Sequence, residues 1–120
     1  MKKEGILKIK SFDFAVRITK LYKYILENKQ EYVLTKQMLR SGTAIGALVR
    51  EAQNAESTAD FIHKLAIAQK ECDETMYWLE LLQKTDYINK KEFESINKDA
   101  LELLKMLRSA SITTKKSQRS

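Results

Sequence analysis

Residues 58–84 read TADFIHKLAIAQKECDETMYWLELLQK. Within them Phe61, Leu65, Ala68, Cys72, Thr75, Leu79 and Leu82 recur at spacings of 4, 3, 4, 3, 4 and 3. That alternation keeps one stripe on one side of an α-helix and matches the heptad spacing of helices packed knobs into holes. Ser57 stands just ahead as an N-cap, with Asp60 three residues on. A helix over 58–84 would be about 40 Å long.

Three more helical segments follow from the same test. The first runs from about Ser11 to Asn28, with Phe14, Ile18, Leu21 and Ile25 on one face and Ser11 as its N-cap. The second runs from Gln30 or Glu31 to Asn54, with Leu34, Met38, Ser41, Ile45, Leu48 and Ala52 in line. The fourth runs from Lys90 to Ala110, opened by an Asn89/Glu92 capping box and lined by Phe93, Ile96, Ala100, Leu103, Leu107 and Ala110. Links this short make neighbouring helices antiparallel, so the expected fold is all-α, an up-down-up-down four-helix bundle crossing at about 20°. The expected organisation is a basic segment over 1–10, the bundle over 11–110 and a mobile basic tail over 111–120. The chain of 120 residues has no proline and three glycines, too few turn residues for a sheet protein.

Gly42 and Gly46 lie four apart inside the second helix, where each costs about 1 kcal/mol relative to alanine. Close approach of a neighbouring backbone is the expected return. A phosphate-binding glycine loop does not fit, because the pair lies mid-helix and no lysine of the P-loop type follows.

The charge excludes some functions and leaves others open. The formal net charge is +6. Residues 1–10 carry +3 and residues 105–120 carry +5, while 11–104 carry −2. The positive charge therefore sits at the two ends. Lys2, Lys3, Lys8, Lys10, Lys105, Arg108, Lys115, Lys116 and Arg119 are candidate nucleic-acid contacts, or else they serve solubility.

No apolar run approaches the roughly 20 residues of a membrane span, and none follows the basic start as in a secretory signal. With Cys72 as the single cysteine, no internal disulfide can form, and a cytoplasmic setting is expected.

Catalytic chemistry finds little support. Ferritin-like bundles hold two metals through paired Glu-x-x-His motifs. Here His63 is the single histidine, and Asp60–His63 has no second copy. Neither metal nor cofactor nor small-molecule substrate is expected. Cys72 falls on the core stripe as an apolar filler, and Glu71 and Glu74 have Arg40, Lys64 and Lys70 as ion-pair partners.

The third helix carries more apolar surface than one stripe. Ile67, Trp78 and Leu81 lie about 100–160° from Phe61 and Leu79. They read as a wide core contact or as a subunit interface, where a large aromatic is a common anchor.

Three stretches carry a family resemblance: Leu39 to Ala52 (LRSGTAIGALVREA), Asp60 to Leu79 (with DFIHKLAIA, Lys70-Glu71 and ETMYWL), and Phe12 to Leu21. They resemble the bacterial four-helix-bundle proteins encoded in ribosomal RNA intervening sequences, once labelled ribosomal proteins, over about residues 10–108. The resemblance implies a bundle that assembles as a ring, commonly a homopentamer. It also implies distant kinship with retroelement accessory proteins, which bind nucleic acid beside a reverse transcriptase. Ala44 and Leu48 depart from the serine and asparagine common in the family. Two functions are carried forward. One is a non-enzymatic homo-oligomeric scaffold that binds RNA or a nucleoprotein partner. The other is a protein–protein interaction module without nucleic-acid binding.

Overall fold

The computed structural model describes residues 3–119. Four α-helices account for them: α1 (Lys3–Lys29), α2 (Leu34–Gln53), α3 (Thr58–Lys84) and α4 (Lys90–Arg119). Each packs on its two neighbours around a square, α1 on α2, α2 on α3, α3 on α4 and α4 back on α1. The result is an antiparallel bundle measuring 52 × 23 × 22 Å.

Helix α3 has the limits its stripe predicts. The Ser57 hydroxyl accepts from the Asp60 N–H at 3.0 Å. The α4 capping box also forms: Glu92 N–H donates to Asn89 Oδ1 at 2.7 Å, and Asn89 N–H to Glu92 Oε1 at 3.1 Å. Between these ends Leu65, Ala68, Cys72, Thr75, Leu79 and Leu82 are buried, facing Ile96, Ala100, Leu103 and Leu107 of α4 across a shared core.

Three boundaries differ from the sequence reading. Helix α1 begins at Lys3, so Ser11 is no N-cap. It is buried mid-helix, and its hydroxyl donates to the Lys8 carbonyl at 3.2 Å. Leu7, also buried, continues the stripe one turn earlier, and nothing in the chain stops the helix there.

Helix α2 starts at Leu34 rather than at Gln30 or Glu31. Gln30 takes a positive φ of 53° and reverses the chain. The Glu31 carboxylate then folds forward over the new helix start. It accepts from the N–H groups of Val33 (3.1 Å), Leu34 (2.8 Å) and Thr35 (2.9 Å). A helix leaves its first four N–H groups open, and one buried carboxylate satisfies three donors here.

Helix α4 continues past Ala110 to Arg119, so 111–118 are helical and not a mobile tail. Ser111 is buried and the Thr114 hydroxyl donates to the Ala110 carbonyl at 2.8 Å. No glycine or proline ends the helix, and its last turns pack beside Phe61 and the α2–α3 turn.

The two α2 glycines stand where α1 crosses. A Cβ on Gly42 would lie 2.9 Å from both Cγ atoms of Ile18, which is fully buried. A Cβ on Gly46 would lie 3.3 Å from the Ser11 carbonyl oxygen. On the α3 side, the Thr75 hydroxyl donates to Ser41 at 2.9 Å, and Ser41 donates onward to the Gln37 carbonyl at 3.1 Å. Small residues therefore let α2 sit close to both neighbours.

Candidate nucleic-acid interface

In an up-down-up-down bundle the first helix begins where the fourth ends. The two basic segments, almost a hundred residues apart in sequence, therefore meet at one end of the molecule. The α1–α4 pairing confirms the register: Lys10 reaches Glu102, and Arg17 reaches Ser95 and Asp99. Because α4 extends to Arg119, Lys115 and Lys116 share one rigid helix with Lys105 and Arg108.

Lys8, Lys105, Arg108, Lys115 and Lys116 are exposed at this end. Lys10 is exposed but committed, its ammonium 3.1 Å from Glu102. With both side chains about half in water, that pair is worth at most about 1 kcal/mol. Lys2 lies outside the described residues, as do the side chains of Lys3 and Arg119.

The structure adds cations that charge location by sequence passed over. Lys98 is exposed on α4 and continues the line of Lys105 and Arg108. Its signal was spacing: 98, 105 and 112 share one position of a seven-residue repeat. Arg50, at the end of α2, stacks its guanidinium 5.5 Å above the Phe12 ring. Lys64 is paired with Glu51 at 3.2 Å. Beside Lys105, Ile6, Leu7, Met106 and Ala110 line an apolar groove of about 330 Å³ between α1 and α4.

The patch of Ile67, Trp78 and Leu81 is half-buried. Trp78 packs on the core of its own chain, and its indole N–H donates to Glu74 at 2.9 Å. Ile9, Phe12 and Val16 are exposed and form an apolar row along α1 that periodicity did not single out.

Glu71 and Glu74 form an ion-pair network with Arg40, whose guanidinium is 3.1 Å from Glu71 and also bound to Glu74. The Trp78 indole and Arg40 hold the Glu74 carboxyl below the ordinary carboxylate range. The Arg40 guanidinium is raised in turn, chiefly by its bond to Glu74. A carboxylate kept ionised and paired in this way is poorly suited to donate a proton at neutral pH. His63 is exposed, and the described residues contain no group of three or more metal-ligating side chains.

Cys72 is fully buried, with its thiol donating to the Ala100 carbonyl at 3.2 Å. Burial, with a smaller contribution from Asp73, pushes the thiol up to about 12. The thiolate is the reactive form. Cys72 is therefore expected to resist a maleimide at pH 7.5 in the native protein and to react within minutes in denaturant. Following thiol loss with and without urea checks this.

Compared with known families, residues 4–109 match the model of the 23S rRNA-intervening sequence protein. The chain belongs to that family. The match takes in the segment over which the sequence resemblance holds. A crystal structure of a protein with unknown function from the S23 ribosomal protein family of Bacteroides thetaiotaomicron VPI-5482 is 54% identical. It superposes with a TM-score of 0.90, over 92% of this chain and 98% of that one. No curated protein matches. Family membership thus brings the bundle and no assigned activity. Among the described residues, no helix is long and apolar enough to cross a membrane.

Proposed function

We propose that the chain is a non-enzymatic, cytoplasmic, homo-oligomeric scaffold, pentameric as the family resemblance implies, whose basic end binds RNA or a nucleoprotein partner. The observation that carries this reading is the convergence of the two basic segments on one end of the bundle. Of the cations described there, Lys10 is neutralised by Glu102, whereas no acidic residue follows Glu102 in α4. Phosphate backbones are bound by such clusters through release of condensed counterions.

Support for assembly comes from exposed apolar surface. Ile9, Phe12 and Val16 on α1 are 46%, 53% and 37% exposed, and Ile67, Trp78 and Leu81 add a second, half-buried patch. Contiguous apolar surface of this kind marks association sites.

Removing residues 109–120 is a poor test, because Ser111 is part of the bundle interior. Charge neutralisation is cleaner. Changing Lys8, Lys105, Arg108, Lys115 and Lys116 to Gln is expected to weaken binding to a structured RNA at low salt at least 100-fold, with unchanged helicity by circular dichroism. A variant that binds like the wild type would refute the basic end as the RNA site, and a wild type that binds no RNA at low salt would leave the protein–protein module. Sedimentation tests assembly separately. A single species near the 14.0 kDa chain mass would refute it. Ile9→Ser with Phe12→Ser probes the interface with less cost to the core than Trp78→Ala, since Trp78 packs on its own chain.

A further inference from the structure

The outer face of α4 is more regular than a basic end requires. Lys98, Leu101, Lys105, Arg108, Ile112 and Lys115 follow one another at spacings of 3, 4, 3, 4 and 3, and all six are exposed. Lys116 stands beside them. From Lys98 to Lys116 the ridge measures about 27 Å. Glu102, the last acidic residue of α4, is engaged by Lys10 of α1.

Such a ridge differs from what single strands require. Proteins that bind single-stranded RNA combine a basic groove with aromatic rings on which unstacked bases lie. The α4 ridge is convex and has no phenylalanine, tyrosine or tryptophan after Phe93. Its interleaved side chains, Leu101 and Ile112, are aliphatic. Phe12, an exposed aromatic near the basic end, has one face covered by Arg50. Tyr24 and Tyr32 lie toward the other end, and Tyr77 is on α3. A rigid line of cations without stacking rings suits a regular array of phosphates. Double-helical RNA presents that array and is recognised mostly by shape and backbone.

We propose that α4 is the RNA-contacting element of the scaffold and that its ligand is double-helical RNA, gripped through phosphates with no base reading. This rests on the RNA-binding reading above and narrows it to one class of RNA. A basic helix with scattered aliphatic residues can also lie on an anionic membrane, but two exposed aliphatic side chains eleven residues apart give little to insert.

The test uses the full chain at low salt, with fluorescence anisotropy against a blunt RNA duplex of about 20 base pairs and an unstructured single strand of the same length. The duplex is expected to bind at least 10-fold tighter, with equal affinity for two unrelated duplex sequences. The triple variant Lys105→Glu, Arg108→Glu, Lys115→Glu should lose duplex affinity at least 100-fold. The opposite-end pair Lys23→Glu, Lys29→Glu should change it less than 3-fold. Circular dichroism confirms folding, and the corresponding Gln triple replaces the Glu triple if helicity falls. Equal or tighter binding of the single strand through the same residues would overturn the duplex assignment and spare RNA binding. Failure of both RNAs to bind would overturn both. Retention on phosphatidylserine vesicles without duplex binding would assign the ridge to a membrane surface and also overturn the inference.

Discussion

Gly42→Val is expected to destabilise the bundle by about 3 kcal/mol or more, read as a lowered midpoint in urea unfolding. A glycine inside a helix is ordinarily a weakness, and alanine there should gain about 1 kcal/mol. Here the gain is opposed by sterics. The first added carbon would sit 2.9 Å from Cγ1 and Cγ2 of Ile18. Ile18 is fully buried and β-branched, so it has no room to rotate away. Overpacking costs typically about 1–3 kcal/mol, so Gly42→Ala should fall near neutral or below. Valine adds two more carbons in the same place and gains little helix propensity. Ile18→Ala alone should cost about 2–5 kcal/mol, but it removes both clashing atoms. The double variant Gly42→Ala, Ile18→Ala should therefore be more stable than the sum of its parts by about 1–2 kcal/mol. Simple additivity would show that α1 and α2 are not in the close contact described.

The second large effect concerns salt. If the five exposed α4 cations, Lys98, Lys105, Arg108, Lys115 and Lys116, each neutralise one phosphate, log affinity should fall against log salt with a slope of about −4.5. Between about 50 and 200 mM salt that amounts to roughly a 500-fold loss of affinity per bound ridge. A complex held by the apolar row of α1 or by the groove at Met106 would change little over the same range, because burial of apolar surface is not screened. Affinity measured at four salt concentrations separates the two, and a flat plot would assign the interface to apolar contact.

Much of the fold was legible because packing leaves a period in the chain. Helix α3 carries an unbroken stripe, and both its limits follow from it. The caps at Ser57 and Asn89 were legible because each motif is local. The errors have equally local causes. Ser11 looks like a cap in isolation, but it is the small residue that lets α1 lie against Gly46. Glu31 looks helical by composition, yet it caps the helix that begins three residues later, after a reversal at Gln30. The apolar stripe of α4 fades after Ala110, where one side of the helix has less to cover, and periodicity therefore ends it early.

The candidate site was legible in composition and hidden in arrangement. Counting charges located positive residues at both ends of the chain. Bundle topology made those ends one place. The extra length of α4 then turned separate lysines into a ridge that includes Lys98. Trp78 shows the reverse case. By helical angle it leaves the stripe and looks like a free anchor, but Glu74 and the core hold much of it within its own chain.

Lysine footprinting on the RNA complex tests the central claim most directly. Exposed lysines at the two ends are acylated with and without a structured RNA, and modification is read by mass spectrometry. Lys8, Lys105, Lys115 and Lys116 at the basic end, and Lys98 farther along the α4 ridge, should be protected, while Lys23, Lys29, Lys36, Lys84 and Lys91 at the opposite end should stay reactive. Equal protection at both ends, or protection confined to the second group, would contradict a basic end that binds RNA.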